Sequence, residues 1–280
     1  MSRYWLAFLF PLVACALLTA CQTNPTQADP NAGQAAVNHA LAGKAVWEEK
    51  CRTVAGEKIY RKVANVEGLL LMKVRPEAGG REWSDRMWPG AAFARESRAD
   101  EFITTFLGYE EGGSTLNGTP TPVTPTYRGS INVNRNPGGI PGYRWVEVID
   151  VKDGQRYRYT GRYDEPWKRE PERYCNTCTF FVLDKTPTTG PAPRYGVTYE
   201  DHVIPEDRYL GIASSTIKVI DLQTQEVLGE MTRYAWSPGA PSRDNPSPWL
   251  TAYRCPDHSR GTNAASRKFV DQVLIPAKEK

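Results

Sequence analysis

Two stretches in the second half of the chain constrain its fold more than anything else in the sequence, because each reads as strand, tight turn and returning strand. Residues 143–150 are rich in aromatic and β-branched side chains, Lys152-Asp153-Gly154-Gln155 makes a turn, and residues 156–160 run back. Asp-Gly between two such runs is a strong hairpin signal, since the turn needs backbone of positive φ. Residues 216–222, the turn Gln223-Thr224-Gln225 and residues 226–231 follow the same plan. Val148-Ile149-Asp150 and Val219-Ile220-Asp221 hold matching places in the two units, a likeness too short to define a repeat. The 22 Pro, 23 Gly, 14 Tyr and 8 Trp point to many turns and aromatic-rich strands rather than to a helical bundle.

The first half is more mixed. Between 34 and 54, Ala36, Ala40, Leu41, Ala45, Val46 and Trp47 recur at helical intervals and predict a helix, with Gly43 as a point where it divides. Residues 59–63 and 68–74 read as strands, the second ended by Pro76, Gly79 and Gly80. A short helix is expected over 99–107, with Phe102, Ile103 and Phe106 on one side. Residues 112–126, 186–193 and 237–248 are proline-rich loops. The expected class is α+β: a predominantly antiparallel sheet with a short N-terminal helical segment, in one globular domain over 34–280.

The N-terminus has a different character. Arg3 precedes an almost unbroken apolar run from 4 to 18, and Thr19-Ala20-Cys21 follows. A basic start, a short apolar core and small residues make the layout of a secretory signal, and the run falls short of the ~20 apolar residues that a spanning helix needs. Leu18-Thr19-Ala20-Cys21 resembles the lipobox of bacterial lipoproteins. That resemblance covers the signal alone. It implies that residues 1–20 are removed, that the Cys21 thiol carries a diacylglyceryl group and the new amino terminus an acyl chain, and that the protein is held to a membrane by lipid. Gln22, where the family uses Asp for inner-membrane retention, implies the outer membrane. Residues 21–33 are polar and rich in Pro and Ala, and read as a disordered tether between lipid and domain.

Export changes how the cysteines are read. With Cys15 in the signal and Cys21 lipidated, Cys51, Cys175, Cys178 and Cys255 remain, an even count suited to disulfides in an oxidising compartment, with three possible connectivities. The expected pairing is Cys175 with Cys178 as a local bridge and Cys51 with Cys255 as a staple between the two ends of the domain. In the chain-entropy model a closed loop of that length stabilises by roughly 5 kcal/mol at most.

Chemistry is harder to find. Cys175-Asn176-Thr177-Cys178 has the spacing of a redox dithiol, but the following Thr179-Phe180-Phe181-Val182-Leu183 favours a strand, not the helix whose N-terminus activates such a thiol. Cys255 and His258, joined to Cys175 and Cys178, would make a Cys3His zinc set, in competition with the disulfides. Arg156-Tyr157-Arg158-Tyr159 interleaves bases with aromatics; on a strand this puts tyrosines on one face and arginines on the other, which a half-buried strand explains without a ligand. Asp164, Glu165, Glu170, Glu172, Glu200, Asp201, Glu206 and Asp207 offer paired carboxylates for glycan hydrolysis, yet sit among Arg, Lys and Pro as on a solvated loop. There is no nucleophile elbow, zinc-protease helix, phosphate loop or dinucleotide fingerprint, so no cofactor is expected and no catalytic residue is assigned. The balance of 35 Lys+Arg against 32 Asp+Glu gives no electrostatic preference for nucleic acid. The expected function is therefore that of a non-enzymatic envelope lipoprotein that binds a protein or glycan. An envelope glycan hydrolase and a thiol redox protein centred on Cys175 and Cys178 are the alternatives.

Overall fold

A computed structural model describes residues 30–110, 131–132, 140–173, 175, 180–256 and 262–278. The chain has an α+β fold built on one nine-stranded sheet. Helix α1 spans Pro30–Thr53. Strands β1 (Gly56–Ile59), β2 (Val63–Val66) and β3 (Gly68–Leu71) follow. Helix α2 (Ala99–Leu107) leads to the short β4 (Tyr109–Glu110) and β5 (Ile131–Asn132). Then come β6 (Trp145–Ile149), β7 (Arg156–Asp164), β8 (Phe180–Pro187) and β9 (Tyr195–His202). Helix α3 (Pro205–Tyr209) precedes the long β10 (Ile212–Asp221) and β11 (Glu226–Trp236). The chain closes through α4 (Pro248–Thr251), β12 (Tyr253–Cys255), α5 (Ala265–Val273) and β13 (Leu274–Pro276).

Both expected hairpins form and share the sheet, whose order is β1-β11-β10-β9-β3-β6-β7-β8, with β12 also on β11. It is two antiparallel meanders, β6-β7-β8 and β9-β10-β11, joined by β3, which runs parallel to the first strand of each. The sheet is thus mostly antiparallel with a parallel seam at its centre. The Val-Ile-Asp likeness falls on the first strand of one meander and on the second strand of the other, so it reflects no repeat.

Side-chain alternation gives the sheet two unlike faces. Leu69, Leu71, Val146, Val148, Val197, Ile217, Val219 and Met231 point to one face and form the main core with Phe93, Phe102, Phe106, Phe269 and Val273. Helix α2 matches the expected bounds because Phe102, Ile103 and Phe106 give it an apolar stripe to bury there. On the other face, Ile212, Tyr234 and Trp236 pack with Ala40, Val46 and Trp47 of α1. Helix α1 runs unbroken through Gly43 and begins at Pro30, a favoured first helical residue, inside the segment read from composition as tether. Gly43 does not divide the helix; a Cβ there would collide with the Leu210 carbonyl and lie 2.9 Å from Trp236 Nε1, so glycine permits close docking. The strand expected over 59–63 divides instead into β1 on the main sheet and β2, which pairs with β13.

Cys51 and Cys255 are disulfide-bonded, with Cα atoms 5.7 Å apart across a sequence separation of 204. The bond ties the C-terminal end of α1 to β12 and so staples the two ends of the fold. Among the described residues no helix is long and apolar enough to cross a membrane. The signal, Cys21 and its tether through residue 29, the loop 112–126, Cys178 and His258 lie outside the described residues.

Candidate functional site

Strand β3 leaves the sheet after Leu71, while β6 continues to Ile149 on one side and β9 to His202 on the other. The divergence opens a cleft of about 550 Å3 beyond the carboxyl ends of the parallel strands, of the size of small-molecule pockets. Its apolar lining comes from Met72 and Val74 on the departing segment, Ile103 of α2, Val148 of β6 and Tyr159 of β7, with Tyr199 of β9 beside them. Met72, Ile149 and Val151 stand at its mouth and are exposed, Val151 at 97%. Lys73, Glu77, Asp100, Asp150 and Lys152 complete the rim.

The wall is held by charge. Arg75 is buried between the rings of Phe93 and Tyr199, its Cζ 4.3 and 4.1 Å from their centroids. Its Nε donates to Glu96 Oε2 at 2.6 Å, and Nη1 donates to Asp201 Oδ1 at 3.2 Å. Burial alone would pull the Arg75 guanidinium down, but Glu96 and Asp201 outweigh it and hold its pKa above the ordinary value. Glu96 also accepts from Ser266 N at 2.7 Å and Ser266 Oγ at 2.8 Å, which binds the start of α5 to the same wall. Tyr199 Oη donates to the Val74 carbonyl at 3.2 Å, and Lys73 Nζ to the Tyr199 carbonyl at 3.1 Å. Ala99, at the first turn of α2, adopts φ 46° and donates its N–H to the Arg75 carbonyl at 2.7 Å. A left-handed alanine persists only where its surroundings fix it.

The opposite rim is also paired. Asp150 accepts from Lys185 Nζ at 2.7 Å and from the Lys152 amide at 3.0 Å, and these bonds hold its carboxyl below the usual carboxylate range. Burial raises the Tyr159 phenol, so it stays neutral across the physiological range. Among the described residues the lining offers phenols, carboxylates, amines and the Arg75 guanidinium, with no aliphatic hydroxyl, thiol or imidazole. Such a site is equipped to hold an apolar group and to read charge around it.

The residues singled out in the sequence lie elsewhere. Cys51 and Cys255 are consumed by their bond, which removes one thiolate from the Cys3His set. Cys175 is disulfide-bonded as well, and it precedes β8, the strand expected there. Among the described residues no three His, Cys, Asp or Glu side chains gather around a metal position. Asp164 pairs with Arg169 at 2.8 Å, Glu165 with Lys168 and Glu170 with Arg173, so these acids serve local ion pairs. Asp201 supports Arg75, and Asp207 meets Lys50 at 3.1 Å. Tyr159 is buried on the core face as expected, whereas Arg156 and Arg158 do more than meet water: they converge from the other face on buried Glu147 at 2.7 and 2.8 Å.

One grouping was invisible in the sequence. His202 Nε2 lies 3.0 Å from Thr216 Oγ1, and its Nδ1 lies 4.0 Å from Glu200. This is the order of a hydroxyl–imidazole–carboxylate relay. Thr216 Oγ1 is also 3.1 Å from Thr232 Oγ1, and its strand is paired on both sides, so the neighbouring amides are spent on the ladder and none is left to steady an oxyanion. The group is a cross-strand hydroxyl ladder on the open face of the sheet.

The fold and cleft define a disulfide-stapled α+β domain with an apolar site at a parallel seam. No protein-family model matches this chain, and no characterised protein or solved structure matches it either.

Proposed function

We propose that the chain is a bacterial envelope lipoprotein, anchored through lipid on Cys21 at the outer membrane, whose folded domain is a non-enzymatic binding module. The observation that carries the binding reading is the cleft itself. Its apolar floor is large enough for a ligand, and its wall is fixed by the Arg75–Glu96–Asp201 network rather than left to collapse. The lipobox and Gln22 support the address, and the Cys51–Cys255 bond suits an oxidising compartment. A local Cys175–Cys178 bridge belongs to the same reading. The ion pairs of the Asp164–Arg173 stretch favour binding over hydrolysis by those acids.

Two measurements test it. Mass spectrometry of protein from its own host should find residues 1–20 absent and acyl chains on Cys21, and Cys21→Ser should release the domain from the membrane. A photoreactive residue at Val151 should give a discrete cross-linked partner in the intact envelope. An intact Met1 overturns the address; turnover of peptidoglycan fragments by the purified chain overturns the non-enzymatic reading.

A further inference from the structure

Strand β8 ends the sheet on one side, and β7 is its only ladder partner. The Thr188 amide donates to the Arg156 carbonyl at 2.9 Å, and the register then runs without a bulge from Tyr157 and Pro187 to Asp164 and Phe180. Hydrogen-bonded pairs alternate along an antiparallel ladder, so the backbone groups of Phe181, Leu183 and Lys185 point away from β7. Among the described residues nothing takes up these outward N–H and C=O groups. The opposite edge is guarded: β1 spans four residues and β12 three, and Glu57 of β1 accepts from Gln272 of α5 at 2.9 Å. On β8 the usual guards, an inward charge and a proline, stand at one end only: Lys185, its Nζ 4.0 Å from the Tyr157 centroid, and Pro187. Phe180-Phe181-Val182-Leu183 carries neither. Phe181 and Leu183 lie at the fringe of the main core, and beside Phe181 a hollow of about 520 Å3 is walled by Tyr163, Tyr109, Leu107 and Arg144.

We propose that β8 is a docking edge for an extended polypeptide segment of a partner protein, which joins the sheet as a further strand at Phe181 and Leu183 and seats an apolar side chain in the hollow. Backbone chemistry selects the occupant, whatever the charges nearby. Donors and acceptors repeat along the edge at the ~6.8 Å two-residue spacing of a strand, and another extended backbone matches them group for group. A lipid or a glycan has no such series. A second copy meeting edge to edge would share eight residues, about 26 Å of strand in a layer about 10 Å thick, well below the ~800 Å2 per partner of a stable dimer. A single segment needs less area, because its side chains can also close over Phe181 and Tyr163, whose rings already meet edge to face at 5.4 Å. The edge is a surface apart from the cleft, since no β8 residue lines that site.

The test uses the full chain, purified in detergent, and an end-capped fluorescent peptide in which threonines alternate with leucine, valine and phenylalanine, read by anisotropy. Two further peptides keep the same side chains and carry N-methyl groups on the alternate amides of one edge or of the other. One methylated peptide should bind weaker by about twentyfold or more, from about fivefold per lost hydrogen bond, and the other by less than about threefold. Leu183→Pro removes an outward N–H that the β7 ladder does not use and should weaken the parent peptide by about tenfold. Leu183→Val keeps that N–H and should change binding by less than about threefold; urea midpoints check that both variants fold. The methylated pair decides even if Leu183→Pro does not fold. Equal losses in that pair, or none, overturn the proposal, as does failure of the parent peptide to bind at about 1 mM. Self-association of the chain that Leu183→Pro abolishes overturns it too, and gives the edge to a second copy. The cleft reading is independent of all these results, because its own probe sits at Val151.

Discussion

Glu96 stands where three remote segments meet: the exit from β3, the loop before α2 and the start of α5. Removing its carboxylate leaves the Arg75 guanidinium buried with one acid fewer, and breaking a buried pair in this way costs about 3–5 kcal/mol. Glu96→Ala should lower stability to urea by that amount, whereas a joint Arg75→Met, Glu96→Leu, Asp201→Asn change should cost less, because none of the three charges is left without its partner. Equal losses in the two variants would show that packing, not charge, sets the cost. This network was not legible in the sequence, since Arg and Glu are ordinarily read as solvent-facing and no spacing announces that residues 75, 96 and 201 converge. The Cys51–Cys255 pair was legible, because setting Cys15 and Cys21 aside leaves four cysteines and three connectivities.

At the level of elements, the hairpins and α2 were readable because local pattern and burial agree. Helix α5 escaped notice: Arg267, Lys268 and Asp271 suggest a solvated stretch, yet all are buried, with Arg267 donating to Asp271 and to the carbonyls of Thr105 and Phe106. Strand β9 was hidden by its mix of Thr, Glu, Asp and His, which face the open side or the Arg75 network. Gly43 read as a break and proved to be a docking contact. Gly43→Ala should therefore destabilise by about 1–3 kcal/mol through overpacking, against the ~1 kcal/mol that alanine contributes to an unconstrained helix; urea midpoints give the sign. The β10–β11 turn carries a pH signature. Asp221 accepts from Arg194 Nε and Nη2 at 3.0 and 2.9 Å and from the Gln223 amide at 3.1 Å, and these bonds hold its carboxyl below the ordinary value. Its stabilisation is full above the unfolded-state pKa and is lost as pH falls through the folded-state value. Asp221→Asn should lower stability at neutral pH and flatten its dependence below about pH 4, measured by denaturant titration across pH.

Across the whole molecule, the cleft could not have been foreseen, because it exists only where β3 departs from between strands that the sequence places some 75 and 125 residues later. The staple, by contrast, follows from cysteine placement. Replacing Cys51 and Cys255 together by alanine should cost about 2–5 kcal/mol, read from thermal or urea unfolding. No change would mean that the unfolded chain gains no freedom when the loop is opened.

The same bond also sets how the domain would bear mechanical load. A pull applied at the N-terminus travels along α1 and reaches a covalent link at Cys51 before it can peel the rest of the chain from the sheet. Beyond that point the load divides between the backbone into β1 and the sulfur link into β12, both laddered onto the long β11. A domain pulled from its N-terminal end would stretch first at the helix and keep the cleft in shape.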